Sequence, residues 1–107
     1  MIIYVDIDNT ICRTIGTQYD KAAPFRYIID RINGLRNAGH TIIYWTARGV
    51  GTGIDHRELT AGQLKDWGAE YDELRLDKPV FDLLVDDKAV TKFEDLDFNN
   101  GYGGLNL

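Results

Sequence analysis

The sequence predicts a three-layer α/β/α domain built on a mainly parallel sheet of about four strands. Three observations point there. Ile2, Ile3, Tyr4 and Val5 form a short apolar run of β-favouring residues that ends in Asp6, with Asp8 two residues on. Phe25, Ile28, Ile29, Ile32 and Leu35 fall at i, i+3, i+4, i+7 and i+10, which is one face of a helix. A second β-favouring run, HTIIYWT at 40–46, follows that helix. Strand, helix and strand at this spacing form a right-handed βαβ unit with parallel pairing.

The opening strand delivers Asp6 and Asp8 to its C-terminal edge, where open parallel sheets bind ligands. Asn9 and Thr10 break the apolar pattern, and residues 11–23 form a polar connection. Pro24 is the expected first helical position, and Gly39 the helix stop. Parallel pairing of 40–46 then brings Thr46 to the same edge as Asp6. Residues 47–55 (ARGVGTGID) are a Gly-rich loop that lacks the Gly-Lys-Ser/Thr ending of a Walker loop. Gly49, Gly51 and Gly53 suit either a mobile cover over the site or a tight strand-to-helix connection. A second helix runs to Trp67, with Gly68 as its stop. Its start is open, because Asp55 with Glu58 and Thr60 with Gln63 both have capping-box spacing. A short strand is expected at 73–76. After Asp77-Lys78-Pro79, the run 81–85 leads into Asp86-Asp87 and repeats the opening theme of an apolar strand ending in acids. The tail from Ala89 carries no assignable pattern.

The chain has 107 residues, 44% of them hydrophobic, which fits one domain over 1–107 with a modest core. The net charge is −5 and no basic stripe appears, which disfavours nucleic acid bound along a groove. One cysteine, Cys12, allows no intrachain disulfide and fits a reducing, cytoplasmic setting. The early apolar run is interrupted by Asp6 and Asp8, unlike a signal peptide. No run approaches the length of a membrane span.

The acids concentrate the chemistry. Asp6, Asp8, Asp86 and Asp87 are expected on one edge, together with Thr46 and Lys78. Clustered carboxylates require a cation, and oxygen donors of this kind suit Mg²⁺. Thr46 and nearby backbone N–H groups, Ala47 among them, can hold a phosphate, and Lys78 can balance a carboxylate and a phosphoryl group brought together. An aspartate can attack phosphorus, while a second acid protonates the leaving oxygen and later activates water. Arg48 either binds substrate phosphate or forms a salt bridge. His40 and His56 are read as structural or solvent-facing, and Cys12 as a small core residue. A Ca²⁺ loop starting at Asp6 fails, because its sixth and twelfth positions are Ile11 and Thr17.

In order, these segments resemble the haloacid dehalogenase (HAD) superfamily. Asp6-Ile7-Asp8-Asn9-Thr10 is similar to motif I, Thr46 after IIYW to motif II, Lys78 to motif III and LLVDD at 83–87 to motif IV. The resemblance implies a Rossmann-like fold and a Mg²⁺-dependent phosphomonoester hydrolase. It makes Asp6 the nucleophile and a metal ligand, and Asp8 the general acid/base with its carbonyl on the metal. Thr46 and Lys78 bind phosphate, and Lys78 also steadies Asp6. Asp87 is the first choice for the acidic metal ligand and Asp86 the alternative. An Asp at the second motif I position resembles the phosphatases rather than the ATPases.

No insertion is long enough for a separate cap domain. The site is therefore open to large phosphorylated substrates, or covered by the Gly-rich loop, the tail or another subunit of a homo-oligomer. A phosphosugar, a nucleotide and a phosphorylated macromolecule all remain candidate substrates. Two other readings stand beside the phosphatase. A phospho-acceptor receiver domain also gathers acids, Thr and Lys at one edge, but its acid pair comes first in the chain and here that pair comes last. A HAD-like subunit that binds without turnover is the other, although both motif I aspartates are present.

Overall fold

The computed structural model describes residues 1–91. Its main sheet is formed by β1 (Ile2–Val5), β4 (Thr41–Trp45) and β5 (Glu73–Arg75), in the order β1-β4-β5, with both pairings parallel. Helix α1 (Arg26–Asn37) connects β1 to β4, and α2 (Arg57–Asp66) connects β4 to β5. A two-residue antiparallel ribbon, β2 (Cys12–Arg13) with β3 (Ala23–Pro24), lies between β1 and α1, together with a 3₁₀ turn at Tyr19–Lys21. The chain is thus an α/β protein with a mainly parallel sheet.

Alternation along the strands decides where the core forms. Ile3 pairs with Ile42 and Val5 with Tyr44, which places all four side chains on one face. Ile29, Ile32 and Leu35 of α1 and Leu64 of α2 join that face in a single buried cluster, completed by Ile7, Ile11, Trp67 and Leu74. Both helices therefore contribute to the same side of the sheet. The opposite face carries Ile2 and Tyr4, both exposed, and Trp45, which meets Tyr4 edge-on at 5.4 Å.

Two expectations need correction. Pro24 does not begin α1. It belongs to β3, where residues 23–24 pair with 12–13, and the Phe25 N–H donates to the Ile11 carbonyl at 2.8 Å. The helix starts only after that pairing ends. Residues 81–85 form no strand, and the sheet has three strands among the described residues. Leu83, Leu84 and Val85 are exposed, as are Val80 and Phe81. A β-favouring run becomes a strand only when an edge accepts its backbone groups, and this run meets none here. The polar connection 11–23 holds β2, the 3₁₀ turn and the first residue of β3. Of the tail from Ala89, one of the expected covers, residues 92–107 lie outside the described residues. No helix among the described residues is long and apolar enough to cross a membrane.

Asp72 fastens the start of β4. Its Oδ2 accepts the Ile42 N–H at 2.9 Å, its own N–H donates to the Ile42 carbonyl, and its Oδ1 lies 3.1 Å from Arg36 Nη2. The Ile42 N–H, and after it the Arg36 guanidinium, hold the Asp72 carboxyl below the usual carboxylate range. A depressed folded-state value stabilises the fold above the unfolded value, about 3.9, and the contribution disappears as pH falls through the folded value. Thermal melts should therefore show Asp72→Asn less stable than wild type at pH 6, with the gap closing progressively below about pH 4.

Candidate active site

The turn after β1 sets the first two groups. Ile7 and Ile11 are fully buried, so the alternating positions Asp6 and Asp8 are turned away from the core and stay partly accessible. The Ile7 carbonyl accepts the N–H groups of Thr10 and Ile11, which closes the chain into a tight turn. Asn9 sits at φ +61°, a left-handed conformation that Asn tolerates better than most residues, and its Oδ1 accepts the Thr14 N–H at 3.0 Å.

Parallel pairing of Val5 with Tyr44 brings the ends of β1 and β4 to the same edge, as expected for Asp6 and Thr46. Lys78 reaches this edge from the segment after β5. Its N–H donates to the Thr46 carbonyl at 3.2 Å, and its Nζ lies 3.3 Å from Asp6 Oδ1. Thr10 Oγ1 donates to Asp6 Oδ2 at 3.2 Å. The Lys78 ammonium also stands 5.7 Å from the Trp45 ring centroid and 5.5 Å from that of Phe81, close enough for cation–π attraction.

Asp8 is paired differently. Arg48 Nε donates to Asp8 Oδ2 at 2.9 Å and Nη2 to Oδ1 at 2.8 Å, a two-point match between guanidinium and carboxylate. Thr14 Oγ1 donates to Oδ1 as well, at 2.6 Å. The Arg48 side chain is wholly buried, whereas that of Asp8 keeps 22% exposure. Its Nη1 donates to Thr60 Oγ1 at 3.1 Å and to Gln63 Oε1 at 2.6 Å, and the Tyr19 ring lies 4.8 Å from the guanidinium. Of the two roles open to Arg48 from sequence, the salt bridge is the one the geometry displays.

Thr46 is buried, and its Oγ1 accepts the Arg48 N–H at 3.2 Å. In the following stretch the N–H groups of Thr46, Arg48 and Val50 are taken by the Arg75 carbonyl, Thr46 Oγ1 and the Ala47 carbonyl. Asp6, Lys78, Thr46, Arg48 and Asp8 therefore form one continuous set of contacts at the carboxyl edge. Asp86 and Asp87 do not join it. They lie exposed, with Asp86 Oδ1 accepting the Lys88 N–H, and no three acids, histidines or cysteines among the described residues form a group fit to hold a metal ion.

Some groups carried no signal or a different one. Thr60 and Gln63 have the spacing of a capping box, but they lie inside α2 on one face and serve Arg48. Thr14 and Tyr19 come from the polar connection, where nothing in the sequence marks them. Asp55 Oδ1 accepts the Arg57 N–H at 2.9 Å, and α2 starts next to the earlier of the two expected positions, but His56 is its N-cap and no capping box forms. Cys12 is fully buried, and burial pushes its thiol above the ordinary range, in keeping with a small core residue. His40 faces the N-terminal amine at 2.8 Å, and His56 packs edge-on to Tyr19.

The Gly-rich loop is tightly folded. Val50 donates to the Ala47 carbonyl and Gly53 to the Gly49 carbonyl, and both Gly49 and Gly53 have positive φ. These bonds build a strand-to-helix connection between β4 and α2. A Cβ at Gly49 would collide with the Ile54 carbonyl oxygen, whereas at Gly53 nothing lies within 4 Å. In chemical denaturation Gly49→Ala should lose about 2–4 kcal/mol, combining left-handed strain with the clash. Gly53→Ala should lose only the strain, about 1–2 kcal/mol.

No family model matches the chain, and neither does any curated protein. Among solved structures, the chain is similar to the crystal structure of a protein from Vibrio cholerae, with a TM-score of 0.82 and 22% sequence identity over 92% of this chain and 91% of that one. At that identity the likeness carries the fold alone.

Proposed function

We propose that this chain is a Mg²⁺-dependent phosphomonoester hydrolase of HAD type that works through an aspartyl-phosphate on Asp6. One observation carries the reading: Asp6 stands at the carboxyl end of β1 with Lys78 Nζ 3.3 Å from its carboxylate, beside Thr46 and Asp8. Three separate stretches of chain supply these groups: the turn after β1, the end of β4 and the segment after β5. Together they make a nucleophile, a cation, a hydroxyl and a second acid at the edge where parallel sheets receive ligands.

The charges support a divalent cation. Asp6 and Asp8 are matched one for one by Lys78 and Arg48. An arriving phosphate would leave the site strongly negative, and Mg²⁺ commonly takes one or two carboxylates plus waters and phosphate oxygens. Asp6 fits that donor set, since its side chain keeps 36% exposure and its partners are one ammonium and one hydroxyl. The Asp8 carbonyl would be the next donor. Asp87 or Asp86 would add the second carboxylate if residues 81–85 paired with the outer edge of β1. That pairing, with the three-layer Rossmann-like arrangement it belongs to, is part of the proposal. When bound, Mg²⁺ would supply charge neutralisation at the transferring phosphoryl group.

The residues divide the reaction as follows. An Asp6 carboxylate oxygen attacks phosphorus, the bond to the leaving oxygen breaks, and Asp8 delivers a proton to that oxygen. Water then attacks the phosphorus of the aspartyl-phosphate and gives a proton to Asp8, so that phosphate departs and Asp6 is regenerated. Lys78 stays beside Asp6 throughout, and the Thr46 hydroxyl and the Ala47 N–H hold non-transferred oxygens. Candidate substrates are phosphosugars, nucleotides and phosphorylated macromolecules.

Asp6→Asn tests the reading. The amide keeps the shape but not the nucleophile, so turnover of p-nitrophenyl phosphate with Mg²⁺ should fall to background while the circular dichroism spectrum and melting profile are retained. Near-wild-type turnover would end the covalent mechanism. Calorimetry showing no Mg²⁺ binding, with or without a phosphate analogue, would end the metal part.

A further inference from the structure

We infer that Arg48 is a positioning residue for Asp8 and not a ligand of substrate phosphate, an inference that rests on the hydrolase reading above. Four of its five N–H bonds are already committed. Nε and Nη2 grip Asp8, and Nη1 serves Thr60 and Gln63. The guanidinium is wholly buried and lies against the Tyr19 ring. Reaching a phosphate would require breaking several of these bonds and leaving Asp8 without its charge partner.

The same contacts make the two oxygens of Asp8 unequal. Oδ1 accepts from both Arg48 Nη2 and Thr14 Oγ1, which uses both of its lone pairs. Oδ2 accepts only from Arg48 Nε and keeps a lone pair. The structure thus assigns Oδ2 as the oxygen that carries the proton to the leaving group and takes one from water. Arg48 sets the plane of the carboxylate, and Thr60 and Gln63 set Arg48. Gln63 is itself tied down, since its Nε2 donates to the Tyr19 carbonyl at 2.5 Å. Helix α2 and the 3₁₀ turn therefore orient the acid/base without touching substrate.

Lysine cannot reproduce a two-point grip, so Arg48→Lys separates orientation from charge. Expected for Arg48→Lys is a fall in kcat of about 10- to 100-fold on an alkyl phosphate, and a much smaller fall on p-nitrophenyl phosphate, whose leaving group needs little protonation. KM, and the affinity for inorganic phosphate with Mg²⁺ by calorimetry, should stay within about threefold of wild type, a limit near 0.65 kcal/mol. Gln63→Leu, which leaves Arg48 and Asp8 in place, should show the same leaving-group dependence at smaller amplitude, and it carries the test if Arg48→Lys fails to fold. A raised KM or weakened phosphate binding in Arg48→Lys would make Arg48 a phosphate ligand and overturn the inference. Equal losses on alkyl and aryl substrates in the folded variants would overturn it too. Wild-type protein that lacks Asp6-dependent hydrolysis would remove the hydrolase reading and the inference together, whereas an active wild type with an altered KM in Arg48→Lys removes the inference alone.

Discussion

The buried guanidinium of Arg48 holds the working edge of this protein together. It contacts Asp8 from the turn after β1, Thr60 and Gln63 from α2, and Tyr19 from the 3₁₀ turn, and its own N–H reaches Thr46. A fully buried cation is costly unless its donors are satisfied. Here each contact that satisfies it also fixes the position of another segment. Removing one partner of such a pair leaves the other charge stranded, at a cost of about 3–5 kcal/mol. The turn, the Gly-rich connection and α2 are therefore set relative to one another by a polar interaction as much as by apolar packing.

The second ion pair behaves differently. Lys78 and Asp6 are more accessible, at 17% and 36% side-chain exposure, and they meet at 3.3 Å through a single point. Such a pair is weaker and more easily rearranged than the Arg48–Asp8 fork. That contrast suits the roles proposed for the two aspartates. In the proposed reaction Asp6 would exchange partners as a phosphoryl group arrives, whereas Asp8 would keep one orientation through two proton transfers.

The sheet is covered unevenly. Both helices supply the core on one face, while Ile2 and Tyr4 on the other remain exposed, along with the apolar stretch from Val80 to Val85. An exposed apolar surface of this kind usually marks a place where something docks. Among the described residues the outer edge of β1 and the 81–85 run are both unpaired, and they are complementary in chemistry, one an open strand edge and the other a β-favouring sequence. Their pairing is also what the proposed metal site needs.

The sequence by itself determined the elements whose signal is local. The IIYV and TIIYW runs are strands because β-branched and aromatic residues favour that geometry, and the 3.6-residue spacing of Ile28, Ile29, Ile32 and Leu35 is a helix face wherever it is buried. It also determined that Asp6 and Thr46 share an edge, because a helix between two strands enforces parallel pairing. Tertiary structure alone decided the rest. Pro24 reads as a helix start until Cys12 and Arg13 offer it a partner strand. The 81–85 run reads as a strand although strand formation depends on an edge elsewhere in the chain. Arg48 reads equally well as a phosphate ligand or an ion-pair partner, and only the arrival of Asp8, 40 residues away in sequence, resolves its place. Thr14 and Tyr19 carry no mark of their own, and Thr60 and Gln63 carry only a capping-box spacing, because their contribution is a contact with Arg48 or Asp8, and contacts between distant segments are properties of the folded chain.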